Sequence, residues 1–135
     1  MVRARLPVMY RDLDTLGHVN NAVYLSYIEH ARVLMFNEYF RKYRNFHFVI
    51  ARAEIDYLRP LFLLDEVEVV AWVSSIGRTS FTIEYEVYNG RGELCARART
   101  VQVAYDPEKR AKREIDPVFL DYLKRHLRSP KDHDG

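Results

Sequence analysis

The chain has 135 residues, 48% of them hydrophobic and 30% charged, a balance that suits one globular domain and excludes a disordered chain. Lys and Arg total 21 against 19 Asp and Glu, a formal net charge of +2, so no basic excess points to nucleic acid as the partner. The one cysteine, Cys95, excludes an internal disulfide framework and a multi-cysteine metal site. No apolar run approaches the roughly 20 residues of a membrane span, and the start, MVRARLPVMY, lacks the apolar stretch of a secretory signal, so we expect a cytoplasmic protein.

In chain order, residues 2–10 read as a strand that runs into RDLDTLGHVNN at 11–21. Turn and cap residues at that density predict a structured loop feeding a helix. The helix is expected from about Ala22 to about Arg44, with Asn20 or Asn21 as its N-cap. Ser26, His30, Asn37, Arg41 and Arg44 gather in one narrow stripe at 100° per residue, and most of the remaining circumference is apolar. A helix that apolar should be surrounded by other elements. Period-2 alternation then predicts strands at 51–57, 65–75, 79–89 and 93–105, with hairpin turns at Gly77-Arg78 and Asn89-Gly90-Arg91-Gly92. A short helix fits 117–127, giving one domain over 1–128 and a polar tail over 129–135. The order β-α-β-β-β-β-α is α+β, with an antiparallel sheet curled around one long helix.

Three groups of residues carry possible chemistry. Glu29 falls among Leu25, Val33, Phe36 and Phe40 on the helical wheel, where a carboxylate needs either a partner, such as Arg32, or a task. Asp12 and Asp14, followed by Gly17 and His18, precede the helix N-terminus. Unpaired N–H groups at such an end suit a carbonyl oxygen that gains negative charge, and a nearby carboxylate suits a nucleophile or general base. The same two aspartates also read as plain loop caps. Asp12, Asp14, His18 and Glu29 lack a recognised metal-ligand spacing, so no metal is expected. Lys109, Arg110, Lys112 and Arg113, with Arg78 and Arg91 in the turns, suit either a solvated surface or a phosphate-bearing ligand.

The run from Tyr10 to Arg32, YRDLDTLGHVNNAVYLSYIEHAR, resembles the signature of the hotdog-fold acyl-CoA thioesterases, in particular the 4-hydroxybenzoyl-CoA thioesterase-like branch. The likeness continues through Ile55-x-Tyr57-x-x-Pro60, Asp65 and Gly77-Arg78-Thr79-Ser80-Phe81. The resemblance implies a hotdog fold, an acyl-CoA substrate or an acyl carrier protein in its place, no cofactor, and a homodimer or homotetramer with active sites at the dimer interface. It implies Asp14 as the catalytic carboxylate and the backbone N–H near Asn21 as the group that polarises the thioester carbonyl. Glu29 matches an acidic position that orients water or the loop. Tyr24 lies on the aromatic helix face that supplies the acyl pocket. Arg78, Thr79 and Ser80 match the turn that faces the nucleotide end of coenzyme A. His18 and Asn20-Asn21 depart from the aromatic-ester branch and tilt the expectation toward aliphatic acyl groups, with His18 ordering the loop or the attacking water. A non-catalytic acyl-CoA-binding module on the same fold is the alternative of a different class.

Overall fold

A computed structural model describes residues 1–43 and 47–128. Strand β1 (Val2–Pro7) leads through a 3-10 turn at Tyr10–Asp12 to helix α1 (Val23–Lys42). Strands β2 (Phe48–Tyr57), β3 (Glu66–Ile76), β4 (Ser80–Tyr88) and β5 (Leu94–Asp106) follow, then the two-residue β6 (Ala111–Lys112) and helix α2 (Pro117–Arg125). The alternation located each long strand to within a few residues. The 3-10 turn and β6 carry no periodicity because they are too short to have one. The expected helix end at Arg44 and the polar tail at 129–135 lie outside the described residues.

Among the described residues six strands form one antiparallel sheet in the order β1-β3-β4-β5-β2, with β6 on β5. Successive side chains of a strand point to opposite faces, so Phe81, Ile83, Tyr85 and Val87 of β4 are buried while Thr82, Glu84, Glu86 and Tyr88 line the outer face half-buried. Helix α1 lies on the inner face and buries Tyr24, Ile28, Ala31, Met35, Phe36 and Tyr39. Phe36 is the hub, with its ring 5.6 Å from those of Phe48 and Phe119 and 5.9 Å from that of Phe81. Truncating it to Ala would cost about 3–5 kcal/mol, as for other buried phenylalanines. A polar thread crosses this core. Arg32 donates to the Tyr85 hydroxyl at 3.2 Å, Tyr85 and Thr100 share a bond of 2.7 Å, and Thr100 bonds Gln102. Gln102 in turn donates to the Phe81 and Thr100 carbonyls, which satisfies the buried amide.

The helix is less enclosed than its composition predicts. Leu25 and Val33 remain 47% and 56% exposed, and they share one flank of α1. Strand β2, an edge of the sheet, is exposed along most of its length, including Val49 and Ile50. The apolar circumference therefore exceeds what one copy of the chain covers.

The sheet also has two distinct ends. At one, the β1–α1 loop meets the β2–β3 connection, where Val19 N–H bonds the Leu61 carbonyl at 2.8 Å and Val8 N–H bonds that of Asp65 at 3.0 Å. At the other, the β3–β4 turn meets the segment after β5. Ala104 N–H bonds the Thr79 carbonyl at 2.8 Å and Ile115 N–H bonds that of Arg78 at 2.9 Å. The ten residue steps of β3 that separate the ends correspond to about 33 Å.

Candidate active site

The loop between β1 and α1 is held by Asp12. Its Oδ2 accepts the Met9 N–H at 2.8 Å and the Tyr27 hydroxyl at 3.0 Å, while its backbone carbonyl accepts the Asn20 N–H at 2.9 Å. Burial first, and then the bond to Asp12, push the Tyr27 phenol well above its ordinary range. The proton stays on tyrosine, and Asp12 stays an acceptor that ties the 3-10 turn, the helix start and the helix body together.

Asp14 opens a tight hairpin. Leu13 and Val19 pair across it, Asp14 N–H bonds the His18 carbonyl at 2.9 Å, and Gly17 closes the turn at φ +88°, a conformation that glycine adopts without penalty. The Asp14 carboxylate accepts the Leu16 N–H at 2.8 Å and lies 3.3 Å from His18 Nδ1. His18 pairs with Phe62 through the backbone and meets its ring edge-on at 6.4 Å. The carboxylate is thus aimed by two neighbours yet remains partly open to solvent, as a reacting group must be.

The helix start disposes of its donors one by one. The N-cap is Ala22, not Asn20 or Asn21 as expected, and it makes no side-chain cap bond. Asn20 instead closes a turn one step earlier, where its Oδ1 takes the Ala22 N–H at 2.9 Å and its carbonyl takes the Val23 N–H at 2.9 Å. Asn20 N–H is spent on Asp12. Asn21 N–H has no acceptor among the described residues. Its peptide unit is polarised from behind, since the carbonyl of that same unit, on Asn20, accepts from Val23. The Asn21 carbonyl accepts the Tyr57 hydroxyl at 2.9 Å, and the Tyr57 ring stands at 90° to that of Tyr24 with centroids 5.0 Å apart. Burial pushes the Tyr24 phenol up to about 12, so Tyr24 is a buried, protonated backing for the helix start.

The other expected residues separate. Glu29 is exposed on the flank that carries Leu25 and Val33, six residues past the helix start, or about 9 Å along the axis. It does not pair with Arg32, whose guanidinium serves Tyr85 instead. Arg78, Thr79 and Ser80 lie at the far end of the sheet, where Arg78 pairs loosely with Glu114 at 3.5 Å. The bonds after β5 bring the basic run 109–113 to that same turn, with Tyr105 opposite Lys112. Two basic groups that the sequence presents separately therefore form one end, but in a single chain it lies away from Asp14. Among the described residues no three His, Cys, Asp or Glu side chains come together as a metal-holding group, and no helix is long and apolar enough to cross a membrane. The part of Tyr57 was missed, because alternation assigns it only to the apolar face of its strand. The Asp12–Tyr27 clamp was missed because it joins residues 15 apart across a loop of irregular path.

These features have counterparts in known proteins. The model of the thioesterase-like superfamily matches residues 8–123. A Thermus thermophilus thioesterase, solved in complex with coenzyme A and Zn, is 37% identical and superposes with a TM-score of 0.82 over 95% of both chains. A 1,4-dihydroxy-2-naphthoyl-CoA hydrolase of Gloeothece citriformis is 29% identical over 84% of this chain and 85% of its own. The acyl-CoA thioester hydrolase YbgC of Escherichia coli is 27% identical over 87% of this chain and 91% of its own. With its curled antiparallel sheet, its one long helix and its match over nearly the whole length, the chain is a hotdog-fold protein that belongs to the thioesterase-like superfamily.

Proposed function

We propose that this thioester hydrolase cleaves acyl-CoA to a free acid and coenzyme A at the β1–α1 loop, with Asp14 as nucleophile or general base and the Asn21 N–H as oxyanion donor. The observation that carries the reading is the contrast at the helix start. Asn20, Ala22 and Val23 N–H groups are all spent inside the chain, and that of Asn21 has no acceptor among the described residues. The same loop carries the Asp14 carboxylate, which accepts the Leu16 N–H and lies 3.3 Å from His18. Negative charge that develops on the thioester oxygen would be met by a preorganised, polarised donor. As general base, Asp14 takes a proton from water as its oxygen bonds the carbonyl carbon. The C–S bond then breaks, and the thiolate takes up a proton. As nucleophile, Asp14 bonds that carbon itself as the C–S bond breaks and the thiolate leaves and takes up a proton, and water then cleaves the resulting anhydride to the free acid and the Asp14 carboxylate. His18 orders the carboxylate or the attacking water in both.

The site is completed by a second copy. Strand β2 carries the open edge, and its Tyr57 end lies at the Asp14 loop while its Phe48 end lies near Tyr105 and the basic run. Antiparallel pairing of β2 about a two-fold axis sets the Phe48 end of one protomer beside the Tyr57 end of the other. The partner's Arg78, Thr79 and Ser80 and the partner's 109–113 run then approach the loop that carries Asp14, where they suit the phosphates of coenzyme A. The same pairing covers Leu25 and Val33, and Glu29 borders the acyl cleft thus formed, with buried Tyr24 behind the helix start. The homodimer is the unit, with a homotetramer built from two of them. Cys95 is a free thiol, which fits a reducing compartment such as the cytoplasm. The acyl group is aliphatic in this reading.

Thiol release across a panel of acyl-CoA esters, with light scattering on the same sample, tests it. Turnover of aliphatic acyl-CoA by a dimer or larger assembly is expected. A fully active monomer at micromolar concentration contradicts the shared site, and turnover of acyl carrier protein alone moves the substrate to that carrier.

A further inference from the structure

We propose that Tyr57 is a positioning residue whose hydroxyl sets the aim of the Asn21 N–H, so that the edge strand β2 governs the oxyanion donor. The proposal rests on the reading of Asn21 given above. The direction of that N–H depends on the torsions on either side of the peptide unit joining Asn20 and Asn21. Upstream, the unit is fixed by loop and helix, through Asn20 N–H to Asp12 and Val23 N–H to Asn20. Downstream, the next unit is held at its nitrogen by the Asn20 side chain and at its oxygen by Tyr57. Tyr57 is thus the hold on this corner that comes from a strand of the sheet, 36 residues away in sequence.

Its ring is well placed to transmit position. Tyr57 is the last residue of β2 and pairs in register with Ala96 of β5, so its backbone is fixed by the sheet. The perpendicular contact with Tyr24 fixes the ring. The side chain is itself 44% exposed, so it contributes little to the core. A hydrogen bond at such a site adds only about 1 kcal/mol to stability, whereas misaiming an oxyanion donor affects the transition state directly. Activity and stability should therefore respond differently to loss of the hydroxyl.

The test is Tyr57→Phe, which keeps the ring and removes the bond. We expect kcat for acyl-CoA to fall about tenfold, less than the hundredfold or more typical of losing an oxyanion donor outright, with KM and the acid limb of the pH–rate profile unchanged. A two-dimensional amide NMR spectrum gives a readout free of activity. The 15N resonance of Ala22, which shares a peptide unit with the Asn21 carbonyl, should move in the variant. Turnover within twofold of the parent, or a still Ala22 resonance, overturns the proposal. So does a fall in kcat matched by a lower melting temperature and a raised KM, because that pattern is structural damage. Asp14→Asn is run alongside. Full activity there overturns the reading of the site and this proposal with it, whereas loss in Asp14→Asn with parental turnover in Tyr57→Phe overturns the assignment of Tyr57 alone.

Discussion

The two ends of the sheet are built on opposite principles. The end that carries Asp14 is held by a dense set of short bonds among its own loops, in which Asp12 alone accepts from Met9, Tyr27 and Asn20. The far end is joined mainly through backbone bonds, with the Asp106 carboxylate accepting from the Glu108 and Lys109 N–H groups and a loose Arg78–Glu114 pair, and Arg78, Lys109, Arg110 and Lys112 are exposed. One end has the rigidity that bond-making needs. The other has exposed positive charge, which in the proposed reading holds the phosphates of coenzyme A. About 33 Å of strand separates them, so in the proposed reading the division of labour is shared between two chains.

The comparison breaks most readily at Asp14. Asp14→Asn keeps the shape of the side chain and its acceptor for Leu16 but loses charge and basicity, so kcat should fall about a hundredfold or more with the fold intact, as measured by thiol release. Asp12→Asn should cost only a few-fold, since an amide oxygen still accepts from Met9 and Tyr27. Equal losses from both would mean that the carboxylates act as a pair.

At the far end, replacing Lys109, Arg110, Lys112 and Arg113 with Ala should raise KM for acyl-CoA several-fold and leave kcat nearly unchanged, because phosphate contacts are alike in ground and transition states. Added salt should mimic the change, and an acyl-pantetheine substrate, which lacks the nucleotide, should escape it. Equal impairment of both substrates would show damage to assembly.

A smaller effect sharpens the picture of the rigid end. Leu64 stands at φ +75° in the turn closed by the Asp65 N–H to Phe62 carbonyl bond, and its side chain is 92% exposed. A left-handed leucine is strained and has no packing here to offset that strain. Leu64→Gly should therefore raise stability by about 1 kcal/mol in denaturant unfolding, and an unchanged or lower midpoint would show that the turn is not strained.

The smallest effect concerns pH. Burial, reinforced by nearby positive charges that include Arg128 and Arg125, lowers His126 from 6.5 to about 4. Between these values the unfolded chain binds the proton and the folded chain does not, so folding stability falls as pH drops from 6.5 toward 4 and levels off below. With the ring half-buried, the loss should be on the order of 1 kcal/mol. His126→Gln should flatten that part of the melting-temperature profile, and an unaltered slope would locate the acid sensitivity elsewhere.

Much of this was legible in the amino-acid order because local physics dictates it. The alternation of β4 and β5, the turns at Gly77 and at Asn89–Gly92, and the Asn20 turn that leads into the helix are each set by residues within a few positions of one another. The placement of Asp14 just before a helix N-terminus is equally local. Tertiary structure alone decided the rest. It sent Arg32 to Tyr85 rather than to Glu29, gathered Arg78 with the 109–113 run, and brought Tyr57 to Asn21. These pairings join residues brought together by chain reversal and sheet registry, and no periodicity encodes which of several chemically suitable partners lies at the end of a given strand. The helix shows both sides at once. Its apolar girth was plain from composition, yet which flank stays open, that of Leu25 and Val33, depended on where the sheet stops curling.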